Sequence, residues 1–188
     1  DVSTITVTRQ GGDNSSELIV ALNSDKTDEA TVPLTVTILA NQDSATFSID
    51  AVNDDIDDDD QTVIISAIDN TNTYTTGTLS LIVQDDDNQP TISINDVSVT
   101  EGNSGTTTAS FTISLSNPST KTITVDYATE DDTATTADSD YQSTNNTLTF
   151  NPLDVEETIE VTINGDTTDQ STETFKVKLS SPTNATIA

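Results

Sequence analysis

Cysteine, histidine, methionine and tryptophan are all absent from this 188-residue chain. Without cysteine there is no disulfide staple and no thiolate-bound soft metal, and without histidine the commonest zinc ligand and neutral-pH general base are missing. Basic residues are nearly absent too: five Lys and Arg stand against 33 Asp and Glu, a formal net charge of -28 at pH 7. Phosphates and anionic headgroups are gripped through basic patches, so neither nucleic acid nor direct membrane insertion is expected, and cations become the natural partners. No apolar run approaches the roughly 18 to 20 residues of a membrane-spanning helix. Hydrophobic residues make up 31% of the chain and aromatics 4%, which with this charge is the composition of a disordered segment.

The order of the residues argues otherwise. Phe111, Ile113 and Leu115 alternate with Thr112 and Ser114, and Ile123, Val125 and Tyr127 alternate with Thr124 and Asp126. A period of two puts every apolar side chain on one face of a strand, so a lean composition still builds a core. Turn-forming clusters at 101–105 and 116–119 punctuate the strands, and no helical period is evident. The prediction is an all-β chain of Greek-key, immunoglobulin-like sandwiches.

Two stretches lie over one another. Residues 36–38, 45–54 and 62–67 run parallel to 148–150, 157–166 and 174–179, matching Ile38 with Phe150, Phe47 with Ile159, Ile49 with Val161, Ala51 with Ile163, Val63 with Phe175 and Ile65 with Val177. A long-period repeat of this kind marks tandem modules. They are bounded at 1–87 and 91–188, with Asn88-Gln89-Pro90 as a linker of roughly 10 Å at most when extended, short enough to restrict the angle between modules.

The second module reads Val99-Thr100-Glu101-Gly102, then Ala109-Ser110-Phe111-Thr112-Ile113-Ser114-Leu115, then Val125-Asp126-Tyr127-Ala128-Thr129-Glu130-Asp131-Asp132, then Ser139-Asp140-Tyr141 and Thr172-Glu173-Thr174-Phe175. This succession resembles the Calx-beta domain. The first module resembles it more distantly, through Val83-Gln84-Asp85-Asp86-Asp87, which is similar to the family's last strand running into its acidic end. The resemblance implies a seven-stranded sandwich with calcium at one tip. By the same resemblance the ligands would be Glu101, Asp131, Asp166 and Glu173 in the second module, and Asp54, Asp58, Asp85, Asp86 and Asp87 in the first. Gln170 stands where a further acidic ligand is expected, and Gln61 stands at the counterpart of Glu173. The first module lacks its first strand and the second its last within this chain, so each sandwich is one terminal strand short and each site incomplete.

Charge physics agrees with a cation. Acidic tracts at 54–60 and 85–87 flank consecutive strands, whose ends antiparallel pairing would bring together, and calcium takes six to eight oxygen ligands. Two carboxylates about 4 Å apart repel by about 1 kcal/mol in water and about 4 kcal/mol at an effective dielectric of 20. For 57–60 taken alone, the competing reading is a solvated acidic loop, and for Glu101 a simple hairpin turn. Tyr127 and Tyr141 read as packing residues, and Lys176 and Lys178 as outward-facing. Open polar loops cannot hold one carboxylate of a pair protonated for acid–base work, and no aspartate tract has EF-hand spacing, so the chain does not read as an enzyme. The expected role is a calcium-binding extracellular or cell-surface structural and adhesion repeat, stiffened by calcium at its tips. Its expected partners are neighbouring repeats, identical subunits, or a cell-surface or matrix component. The alternatives are a filament subunit assembled by strand addition between neighbouring sandwiches, and a metal-independent spacer.

Overall fold

The computed structural model describes residues 2–188; Asp1, the first residue of the module bounded at 1–87, lies outside them. Every alternating run becomes a strand, because a period of two offers one continuous apolar face. The described residues form fourteen strands and no helix. They fall into two compact units, the first comprising residues through Asp54 with Asp59–Asp85, the second Asp55–Asp58 with Asp86–Ala188.

In the first unit, β1 (Val2–Thr8), β5 (Ser44–Ala51) and β3 (Ala30–Thr31) form one sheet in the order β1-β5-β3. The facing sheet has the order β4-β2-β6-β7, from β4 (Thr35–Ile38), β2 (Leu18–Ser24), β6 (Gln61–Asp69) and β7 (Gly77–Val83). Phe47 and Ile49 of one sheet close on Val20, Ile38, Val63 and Ile65 of the other, each burial worth about 1.5–3 kcal/mol.

The second unit repeats the plan. One sheet runs β12-β9-β8-β14, from β12 (Glu156–Asn164), β9 (Thr106–Leu115), β8 (Thr91–Ile94) and β14 (Thr186–Ile187); the other runs β11-β10-β13, from β11 (Asn145–Phe150), β10 (Ile123–Glu130) and β13 (Lys176–Thr183). Ile92, Ile113, Ile123, Val125, Phe150 and Val161 are the sealed centre of its core. The overlay of the two sequences places equivalent residues inside: Ile38 and Phe150 are both 0% exposed, and Phe47, Ile159, Ile49 and Val161 are all buried. Ala51 departs from its partner Ile163, being exposed at the last position of β5.

Two sequence expectations are refined. Residues 186–187, expected to precede the last strand, already pair in parallel with Thr91 and Ile92 of β8. Asn88 and Pro90, read as linker, are tied into the second unit. Pro90 is fully buried, its carbonyl accepts from Thr186 N at 3.0 Å, and the Asn88 carbonyl accepts from Asn117 Nδ2 at 3.1 Å.

Candidate metal centre

One end of the second unit is built from four segments. Gly165, just past β12, donates its N–H to the Gly105 carbonyl at 3.0 Å. A Cβ on Gly165 would stand 2.8 Å from both the Glu101 and Gly102 carbonyl oxygens, so only glycine lets the 101–105 turn close on the strand end. The neighbouring Asn164 holds the next loop, its N–H donating to the Asp140 carbonyl at 2.9 Å and its Nδ2 to the Ser139 carbonyl at 2.7 Å. Ser139 turns the chain there with a left-handed φ of 69°, placing Asp138 and Asp140 on a tight corner. The fourth segment enters through Phe175, which stacks on Tyr141 at 4.5 Å between ring centroids. Thr174 anchors it by accepting from Ala134 N at 2.9 Å and donating its own N–H to Thr133 Oγ1 at 2.7 Å.

These constraints crowd carboxylates. Glu173 holds its proton more tightly than an ordinary glutamate, first because its surroundings strip water from it, then because the charges of Asp140 and Asp138 lie close. A hydrogen bond with the Asp140 side chain and the charge of Glu101 act in the same direction. Asp140 is itself buried and accepts from Thr135 N at 2.7 Å. Of the four residues expected in this site, Glu101 and Glu173 are therefore brought together, alongside Asp138 and Asp140. Sequence reasoning missed that second pair, although Asp140 stood inside the Ser139-Asp140-Tyr141 landmark.

Asp131 is committed elsewhere. The Tyr141 hydroxyl donates to its Oδ1, and Thr136 donates its N–H at 3.0 Å and its hydroxyl at 3.4 Å. These bonds, Tyr141's foremost, lower the Asp131 pKa, while burial and the carboxylate push Tyr141 up to about 12. Asp166 follows Gly165 and accepts from Thr168 N at 2.6 Å, closing its own exposed loop.

Of the five aspartates expected in the first module, Asp54 and Asp85 belong to the first unit and Asp58, Asp86 and Asp87 to the second. Antiparallel pairing of β6 and β7 does bring the ends of the acidic tracts together, as expected. There Asp85 binds backbone, accepting from Asp59 N at 3.1 Å and donating its own N–H to Asp60 Oδ1 at 3.2 Å. Asp54 and Asp86 are exposed, and Asp58 and Asp87 half-buried. Asp57, in the middle of the acidic tract, is a buried anchor of the second unit. Its carboxylate pairs with Lys121 Nζ at 2.9 Å and accepts from Ser119 Oγ at 2.9 Å, and its backbone bonds to Pro118 and Thr120. That arrangement is invisible in the sequence because the partners lie more than sixty residues away.

The donor set at the tip of the second unit is all carboxylate oxygen, the chemistry of a hard cation. Among the described residues, however, no three carboxylates are already arranged to hold a metal ion. The tip offers concentrated negative charge rather than a finished cage.

Tandem seven-stranded sandwiches, one with carboxylates crowded at a loop-built end, define a class of modular β protein. The Calx-beta domain pattern matches residues 85–187, more than half of the chain, and the chain belongs to that family. Among solved structures it is similar to CBD12 from CALX1.2, at 21% identity with a TM-score of 0.42, over 96% of this chain and 74% of that one. It is also similar to the structure described as calcium binding domain CBD12 of CALX1.1, at 20% identity and a TM-score of 0.40, over the same shares. A third is the secreted serine protease VesC from Vibrio cholerae, at 11% identity and a TM-score of 0.27, over all of this chain and 48% of that one. None of the curated proteins matches the chain.

Proposed function

We propose that this chain is a non-enzymatic, calcium-binding structural repeat of an extracellular or cell-surface protein, with the ion taken up at the tip of the second unit. The observation that carries the reading is the elevated proton affinity of Glu173 beside Asp140, Asp138 and Glu101. Carboxylates drawn partly out of water beside one another are the ones a divalent cation relieves. Glu101, Asp138, Asp140 and Glu173 would supply the oxygens, on three segments that are otherwise joined by a few hydrogen bonds. Bound calcium would add charge neutralisation and a bridge between those segments, stiffening the tip. Membership of the Calx-beta family and the calcium-binding description of the CALX1.1 structure support the same ion. A net charge of -28 with no cysteine suits a medium rich in calcium, where module affinities of roughly 0.1–1 mM suffice.

The test is thermal unfolding of the chain in EDTA, in calcium and in magnesium, with Glu173→Gln and Asp140→Asn alongside. At about 100 times Kd, calcium should add about 2.7 kcal/mol to the wild type, magnesium distinctly less, and both variants should lose the response. An equal response in wild type and both variants would place the ion elsewhere. No response in a folded chain would leave the metal-independent spacer as the function.

A further inference from the structure

Asn164-Gly165 is the single Asn-Gly pair in the chain. Asparagine before glycine is the pair most prone to lose its side-chain amide, because no side chain on the second residue keeps the backbone nitrogen away from the asparagine side-chain carbonyl. The fold accounts for the glycine. The 101–105 turn closes so tightly that a Cβ at 165 would stand 2.8 Å from the carbonyl oxygens of Glu101 and Gly102, so no slower-reacting residue fits after Asn164.

The asparagine adds something that the first unit lacks. In the overlay of the two modules Val52 takes the place of Asn164, and its N–H donates to the Glu29 carbonyl at 2.8 Å as that of Asn164 donates to the Asp140 carbonyl at 2.9 Å. The backbone bond therefore needs no amide side chain. Only in the second unit does the side chain also reach across, Nδ2 donating to the Ser139 carbonyl at 2.7 Å and Oδ1 accepting from Gln142 Nε2 at 3.4 Å.

Both reacting groups are thereby held. The amide that would leave is bonded to Ser139, and the nitrogen that would attack donates its proton to the Gly105 carbonyl at 3.0 Å. Asn164 is further fixed as the last residue of β12, paired with Thr106 of β9.

We propose that Asn164 is a self-modification site, guarded by this corner and converted to aspartate or isoaspartate when the corner opens. On opening, Gly165 N attacks Asn164 Cγ. A new C–N bond closes a five-membered imide, the Cγ–Nδ2 bond breaks, and the leaving nitrogen takes the Gly165 proton and departs as ammonia. Water then adds to either imide carbonyl and the ring C–N bond there breaks. Amide and water have become carboxylic acid and ammonia. Neither product can rebuild the corner. An aspartate oxygen brings no hydrogen to the Ser139 carbonyl, which loses its donor, and adds a negative charge beside Asp140. Isoaspartate inserts one more carbon into the main chain between β12 and Gly165, carrying Gly165 N off the Gly105 carbonyl. A tip that has reacted stays open. No ion takes part, so this stands separately from calcium binding.

The experiment ages the 188-residue chain and the free peptide of residues 161–168 side by side at neutral pH in EDTA. Peptide mapping reads the amide-to-acid mass gain and the isoaspartate at position 164. Conversion in the folded chain is expected to be at least about tenfold slower than in the peptide, because only the open fraction reacts, and to accelerate in urea below the unfolding transition. Asn164→Asp, which mimics one product, should lose the hydrogen-exchange protection of the amides at 164 and 165 while that of Val52 is unchanged. Conversion as fast in the folded chain as in the peptide would overturn the proposal. So would conversion that waits for global unfolding, or full protection of both amides in Asn164→Asp.

Discussion

The two units build the same sandwich and finish corresponding tips with opposite electrostatics. In the second unit Glu173 sits among Asp140, Asp138 and Glu101 and clings to its proton. In the first, Gln61 stands in the place of Glu173, and the Lys26 ammonium donates to its Oε1 at 2.6 Å. Register aligns Lys26 with Asp131, since Ser24 pairs with Ile65 as Thr129 pairs with Val177. One unit therefore carries a tethered cation where the other accumulates unbalanced carboxylates. A fold shared down to its core positions does not oblige its two copies to use a tip in the same way.

The largest expected effect tests whether the copies share a core. Phe150→Ala should cost about 3–5 kcal/mol and Ile38→Ala about 2–5 kcal/mol, each visible first in the amide exchange of its own unit. A milder effect at either position would break the equivalence of the two 0%-exposed sites. Next comes calcium. The stabilisation of about 2.7 kcal/mol expected at 100 times Kd should protect amides around 101–105 and 138–141, while those near Lys26 and Gln61 stay unchanged in hydrogen exchange. Protection centred on Gln61 would reverse the comparison.

Asp57→Ala comes third. It removes the carboxylate that Lys121 Nζ and Ser119 Oγ donate to, at a cost of about 1–3 kcal/mol in urea unfolding, softened because the Ser119 hydroxyl keeps the Asp57 carbonyl at 2.8 Å and Lys121 keeps 26% exposure. Lys26→Met should cost less, about 0.5–1.5 kcal/mol for one hydrogen bond, by the same measurement. The subtlest test is pH. Bonds from the Thr71 hydroxyl and N–H, with others from Tyr74 and Thr73, lower Asp69 from 3.8 to about 2. Its folded pKa lies below the unfolded one, so its stabilisation is complete above about 4 and is lost as pH falls toward 2. Glu173 has the opposite sign: its folded pKa lies above 4.5, so without calcium stability falls as pH rises from 4.5 through the raised value. Asp69→Asn should reduce the acid-side loss, of which Asp131 keeps its own share, and Glu173→Gln should reduce the loss above 4.5, each read from melting temperature against pH. Both variants following the wild-type profile would sink this contrast.

The strands and the core were readable in the chain because the period of two is a local property. Ile38, Phe47, Phe150 and Val161 could be placed inside from their neighbours alone. The family resemblance pointed to Glu101 and Glu173, whose charges act on one another at this end. Asp131 went to Tyr141 instead because a carboxylate's partner is chosen by whichever donor the fold brings near, and Asp138 and Asp140 reached the tip through a left-handed corner at Ser139. The buried pairing of Asp57 with Lys121 was not legible, because its partner lies 64 residues along the chain.

By itself, then, the sequence determined an all-β tandem repeat, a strongly anionic chain, and the absence of thiolate and imidazole groups. Those follow from composition and short-range alternation, which need no knowledge of distant contacts. Tertiary structure alone decided which carboxylates crowd together and which are spent on backbone and hydroxyl donors. Repulsion, hydrogen bonding and strand pairing act over a few ångströms of space, and loops far apart in the chain meet only once both sheets have closed.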